Sequence, residues 1–233
     1  ATVELRSPLA KRAAKELLGW DFVLEKDSIP AGIYVAWQKE LWTRLRDLFV
    51  PELLKDSFSS VVITPLIASL REPRFVFGPD PGKARDLFVQ QSFEAAVASL
   101  TSKLGTDLKN WRYGQVGYHH IVIQHVLGKA VNDALRAKLE VGPIPRGGDS
   151  FTVNNTGGED MQTVGASFRL IADPSNWDAS LGANVPGQDG DPGGKHYKDM
   201  VQLWADGSYF PVVYSREKVM ESTEARTVLR VSP

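Results

Sequence analysis

Gly165-Ala-Ser-Phe-Arg-Leu-Ile-Ala-Asp173 and, further on, Val185-Pro-Gly-Gln-Asp-Gly-Asp-Pro-Gly-Gly-Lys-His-Tyr-Lys-Asp199 are the stretches on which the reading of this chain turns. In the first, Ala166 to Ala172 reads as a strand whose alternation is partial, as in strands covered on both faces. In the second, Gly187 to Gly194 reads as a tight loop that delivers backbone N–H groups. Its aspartates alternate with glycines, faintly as in a calcium loop. The remaining oxygens and the closing bidentate glutamate of an EF-hand are missing.

Outward from these blocks the second part of the chain is mixed. Ser150 to Val153, Leu181 to Val185, Phe210 to Tyr214 and Thr227 to Val231 are further strand candidates, with one short helix over Met200 to Trp204. Before them come Trp111-Arg-Tyr-Gly114, Val116 to His125, a helix-like Leu127 to Leu139, and the turn-rich Val141 to Gly148. The first part is helical. Pro8 to Trp20 puts Leu9, Ala13, Leu17 and Trp20 on one face, with Ser7 as N-cap and Pro8 at the first position. Ala31 to Phe49 carries an apolar stripe of Ile33, Trp37, Leu41, Leu45 and Leu48, closed by Pro51. Ser59 to Leu70 reads as helix, with strand the alternative for its β-branched residues. After a proline-rich loop over Arg71 to Gly82, Lys83 to Leu104 reads as a long helix ending at Gly105, with Leu87, Phe88, Gln91, Phe93, Ala96 and Leu100 on its buried side. The expected class is α+β: a helical layer over about 1–109 and a mixed part over about 110–233, joined as layers of one region, with antiparallel strands mainly after about residue 150.

Composition narrows the functional classes. The 233 residues are 42% hydrophobic and 24% charged, as in ordinary globular proteins, and the net charge of −1 leaves no basic footprint for nucleic acid. No apolar run approaches the ~20 residues of a membrane span. Without cysteine, disulfides, thiolate metal sites and cysteine nucleophiles are excluded. Six tryptophans and ten phenylalanines point to a large aromatic core, or to a hydrophobic substrate cavity.

The candidate chemistry is sparse. His119, His120 and His125, with Asp133, match no metal signature, so packed histidines are the expectation and no metal site is assigned. Ser150, His196 and Asp173 make a triad only on paper, since no G-x-S-x-G elbow accompanies them. No G-x-G-x-x-G or Walker loop is present, so no nucleotide cofactor is expected.

Five motifs in order carry a resemblance: Gly19-Trp-Asp21 with Asp27-Ser28; Trp111-x-Tyr-Gly114 followed by His119 or His120 and by His125-Val-Leu-Gly128; Gly147-Gly-Asp-Ser-Phe-Thr-Val-Asn154; and the two blocks quoted first. Together the chain resembles the carboxy-terminal portion of the β chain of the penicillin acylase (penicillin amidase) family of N-terminal-nucleophile hydrolases. Val126 stands where that family usually has proline. The resemblance implies an αββα sandwich, a precursor that cuts itself into α and β chains, and a nucleophilic Ser at the new β terminus whose own amine serves as base. The family's oxyanion donors precede the region resembled here. No catalytic residue is therefore expected on this chain, and Ala1 has no hydroxyl to attack with. A processed fragment is one reading of that terminus; initiator-Met removal or tag cleavage is the other.

The implied role is structural: a subunit that walls the substrate cavity of an N-acyl amide hydrolase, of penicillin acylase or acyl-homoserine-lactone acylase type. Its partners would be the α chain and the amino-terminal part of β, its substrate a small N-acylated amide, and its location periplasmic or secreted. The alternative is a self-sufficient, non-catalytic binding or structural domain related to the same half of the family. Asp173 is the candidate for orienting the active-site network from behind, or for a structural ion pair with Arg169 on the same strand face. Pro51 to Leu70 is a candidate wall of the acyl pocket. No cofactor is expected on this chain, while a structural calcium elsewhere in the assembly is compatible with the family.

Overall fold

In the computed structural model, which describes residues 4–58, 62–158 and 160–230, the chain divides into two compact units, 1–118 and 119–233. The first is helical because its helix starts are strongly specified. Ser7 Oγ accepts from Ala10 N at 2.9 Å and Pro8 opens α1 (Pro8–Leu18). Ser28 does the same for α2 (Ile29–Phe49), accepting from Ala31 N at 3.3 Å. The apolar segment that followed was open between helix and strand. It is the helix α3 (Ile63–Arg71), while Ser59 to Val61 lie outside the described residues. Asp80 caps α4 (Pro81–Leu104), which stops at Gly105 with φ 82°.

Helices α1, α2 and α4 share a core of Ala10, Ala13, Ile33, Phe93, Val97 and Leu100. Each large side chain in it contributes about 1.5–3 kcal/mol of transfer free energy. Leu41, Trp42, Leu45 and Leu66 join α2 to α3. Leu48 and Leu87, assigned to buried stripes by periodicity, are exposed. The segment after α4 changes composition near residue 110, yet it packs with the helices. Trp111 Nε1 donates to Gly105 O (2.9 Å), Tyr113 N to Ser28 O (3.1 Å), Gly114 N to Lys26 O (2.7 Å), and Tyr118 Oη to Gly32 O (2.6 Å). The helical unit accordingly runs to Tyr118.

The second unit carries two small sheets. One has the order β2-β1-β4-β3, from β1 (His120–Ile123), β2 (Val141–Pro145), β3 (Thr156–Gly158) and β4 (Met161–Gly165). Its β1–β4 pair is parallel, which departs from the expected antiparallel set, and two of its strands precede residue 150. Val141 to Pro145 pairs on one side only, so Pro143 and Pro145 cost no ladder bond on the free side. The other sheet, β5 (Arg169–Ile171), β6 (Leu181–Ala183) and β7 (Phe210–Pro211), is antiparallel in that order. Three expectations fail locally. Ser150 to Val153 is a turn, 227–230 form no strand among the described residues (Val231 lies outside them), and the helix over Leu127 to Leu139 shrinks to α5 (Asp133–Leu139), capped by Asn132. In the turn before α5, Gly128 lies close to Glu140: a Cβ there would meet Oε1 at 2.2 Å and displace that side chain. The short helix expected at Met200 to Trp204 is α6 (Val201–Ala205), and α7 (Arg216–Glu221) follows. Trp204 and Ala205 pack with Ile121 in this unit's core. Among the described residues no single helix is long and apolar enough to cross a membrane. Only the bent pair Glu52–Phe58 and Ile63–Arg71 passes that test together, on length and composition alone.

Candidate functional site

Two guanidinium groups organise the second unit. Arg146, just past β2, is fully buried; its Nη1 donates to Asn155 O (3.2 Å), its Nη2 to Asn154 Oδ1, and the group lies 4.2 Å from the centre of the Trp204 ring. Arg169, in β5, donates to the same Asn154 Oδ1 (3.3 Å) and to Trp204 O (2.9 Å), and lies over Tyr209 at 5.1 Å. Trp204 Nε1 donates in turn to Ala166 O at 2.8 Å. One amide oxygen thus ties the 147–155 loop to Arg146 and to β5, and Arg169 carries the link on to Trp204 O of α6; fixed donors of this kind hold geometry rather than move protons.

The Gly-Gly-Asp-Ser-Phe-Thr-Val-Asn motif builds the loop that presents Asn154. At Gly148, φ is 86° and a Cβ would stand 2.2 Å from Asn154 O. Asp149 N donates to Thr152 Oγ1 (2.9 Å) and Phe151 N to Asp149 Oδ1 (2.8 Å), while burial pushes the Asp149 carboxyl above its usual range. Ser150 Oγ is committed to Thr156 O at 3.1 Å. Beside it, buried Gln162 links His119 Nδ1 (3.3 Å) to Thr156 Oγ1 (3.2 Å), so this histidine is a packed one.

Asp173 sits after β5 has ended and forms its own turn. Its Oδ1 accepts from Ser175 Oγ (2.6 Å), Ser175 N (2.9 Å) and Asn176 N (3.2 Å), and these bonds, the hydroxyl first, hold the carboxyl below its usual range. It makes no ion pair with Arg169: the strand stops at Ile171, and the two side chains bond different partners. In the glycine-rich loop, Asp189 accepts from Asp191 N and Asp191 from Gly193 N, so both carboxylates brace backbone rather than a cation. Among the described residues no group of three or more His, Cys, Asp or Glu could hold a metal ion. His196 bonds Asp199 through Nδ1 (2.5 Å) and Glu224 through Nε2 (3.1 Å), while Tyr197 Oη donates to Leu139 O at 2.9 Å. Ser150, His196 and Asp173 thus have separate commitments and form no triad. Sequence reasoning placed Asn154 in a motif and Trp204 in a helix but gave neither a bonding role, and it assigned none to Arg146 or Gln162; the one usable signal was a lone Arg between a proline turn and paired glycines.

A helical unit and a two-sheet unit, with many polar side chains bracing loops, make a mixed α+β fold. The penicillin amidase family model matches residues 2–221, and the chain belongs to that family. It is 33% identical over 235 residues to penicillin acylase 2 proenzyme of Pseudomonas sp. (strain SE83), covering 96% of this chain and 29% of that protein. It is 26% identical over 235 residues to acyl-homoserine lactone acylase QuiP of Pseudomonas aeruginosa, covering 90% and 27%. The chain therefore spans little more than a quarter of these relatives. Among solved structures it shares the fold of a thermostable penicillin G acylase from Alcaligenes faecalis, with a TM-score of 0.54, 18% identity, and coverage of 99% of this chain and 44% of the other.

Proposed function

We propose that this chain is the structural, cavity-walling portion of an N-acyl amide hydrolase whose nucleophile lies on a companion chain of the same precursor, and that it corresponds to the carboxy-terminal part of the β chain. The observation that carries the reading is family membership combined with a span of 27–29% of relatives named as acylases. The site supports it: Ser150, His196 and Asp173 are each held by structural partners. Under this reading a terminal Ser, Thr or Cys of the companion attacks the amide carbonyl, with its own α-amine as base. Preorganised donors hold the oxyanion, water releases the acyl group, and no cofactor enters. The assembly would work in the periplasm or outside the cell.

Native mass spectrometry of the purified protein, with amino-terminal sequencing of each chain released on denaturation, tests this. A co-purifying chain that begins with Ser, Thr or Cys, in an assembly that hydrolyses N-acyl amides, is the expected result. A lone, folded species of 25.7 kDa would overturn it. In the assembly, Ser150→Ala and His196→Ala should leave the chemical step intact.

A further inference from the structure

Glu224 lies past the region that the family model matches, residues 2–221, yet it reaches back to the glycine-rich loop inside that region. Its Oε1 accepts from Lys195 Nζ at 2.7 Å, and its Oε2 faces His196 Nε2 at 3.1 Å. Among the described residues, Ser222 and Thr223 bond only back into α7, through Lys218, Val219 and Met220, so Glu224 is what ties this tail to the rest of the unit. No residue of α7 is buried and 221–230 are exposed throughout, so packing gives the tail little hold. The other ring nitrogen, His196 Nδ1, lies 2.5 Å from Asp199 Oδ2. An ionised carboxylate only accepts. Both contacts are therefore hydrogen bonds at once only while both nitrogens carry protons, which is the imidazolium. A neutral ring keeps one proton. It stays on Nδ1, whose carboxylate is the nearer and belongs to the same turn, and Nε2 then turns a lone pair toward Glu224. The other charges of the loop are engaged elsewhere, Asp189 and Asp191 on backbone N–H groups and Lys198 on Glu140 O, which leaves Lys195, Asp199 and Glu224 around the ring.

We propose that residues 222–226 form a proton-sensitive strap: Glu224 clamps the glycine-rich loop while His196 is an imidazolium, and the clamp loosens when Nε2 gives up its proton. The strap lies outside the region matched to the family, and it does not depend on the subunit reading above. Lys195 keeps its charge and its bond to Glu224, so deprotonation of the ring loosens the strap without freeing it. Protonation of Glu224 in acid opens it from the other side. The clamp sits where the loop closes, because Gln188 N and Asp189 N both donate to His196 O, at 2.8 and 3.2 Å. A change of charge on one exposed ring thereby sets how firmly the tail holds the loop.

The chain has no cysteine, so Val228→Cys, at an exposed position, takes a single nitroxide spin label. As the pH rises, the ratio of immobilised to mobile label should fall by roughly two- to fivefold, the size of an exposed ion pair. The change should come in one transition centred above the ordinary histidine value of 6.5. Glu224→Gln and His196→Gln, each shown to be folded by far-ultraviolet circular dichroism, should abolish it. Nitrogen NMR of the His196 ring reads the same event at the atom: both nitrogens protonated below the transition, and Nδ1 alone above it. A label whose mobility ignores pH, a transition that survives either substitution, or a neutral ring protonated at Nε2 would each overturn the strap.

Discussion

His196 carries the clearest pH dependence in the second unit. Its pKa is raised, first by the hydrogen bond to Asp199 and then by that to Glu224. Glu224 is lowered, first by Lys195, bonded at 2.7 Å, and then by His196. A raised histidine contributes stability that is fully present below its unfolded value of 6.5 and is lost as pH rises through the folded value. A lowered glutamate contributes above its unfolded value of 4.5 and loses that contribution as pH falls through the folded one. The attachment of Glu224 to the glycine-rich loop is therefore strongest between about 4.5 and 6.5. Trypsin cleavage at Arg226 should be slowest in that window once corrected for the protease's own pH profile, and Glu224→Gln should flatten the profile. An identical dependence in the variant would show that the contact does not hold this segment. A Cβ at Gly194 would sit 1.8 Å from Asp189 Oδ2, so any side chain there must displace that carboxylate. Of these details the sequence displayed only the local part: glycine and aspartate announced a tight loop and Asp199 stands near His196, but the second partner, Glu224, lies 28 residues on, where no local pattern could have paired it.

Helix starts were the most legible elements, because their signals are local. Ser7-Pro8 and Ser28-Ile-Pro30 state both the cap and the first turn, and α1 and α2 begin there. Ser28→Ala should cost about 0.5–2 kcal/mol in denaturant unfolding. The helix–segment contact at Gly32 is sharper. A Cβ would stand 2.1 Å from Trp111 O, backbone against backbone, so Gly32→Ala should destabilise by about 1–3 kcal/mol. Gly82, in the first turn of α4 with nothing within 4 Å of its Cβ position, is the control. There alanine should be neutral or stabilising by up to ~1 kcal/mol. Equal costs at the two positions would refute the close approach. Strands were less legible for a physical reason. Most are two to five residues long, and Gly157-Gly158 in β3 and the two prolines in β2 suppress the alternation that announces a strand. Thr227 to Leu229 has strand composition yet makes no ladder, since pairing partners, not propensity, decide a strand.

At the scale of the molecule, the family was legible because its motifs turn out to be folding instructions. Trp20 Nε1 closes on Val23 O, Tyr113 and Gly114 tie back to Ser28 and Lys26, and the Asn154 loop takes both guanidiniums. The surface tells a complementary story. In the helical unit Leu53 is 97% exposed, and Phe49 and Phe75 are exposed as well, an apolar display that marks interaction surfaces when contiguous. If companion chains cover part of it, stability must depend on their concentration. A partner that binds only the folded chain adds about 2.7 kcal/mol at one hundred times its dissociation constant. For a chain of this size each kcal/mol moves the midpoint by about 2–4 °C, so Tm should climb by roughly 5–11 °C on saturation. Binding of a hydrophobic dye should fall over the same titration. A midpoint that ignores the companion would mean that this apolar surface faces something else.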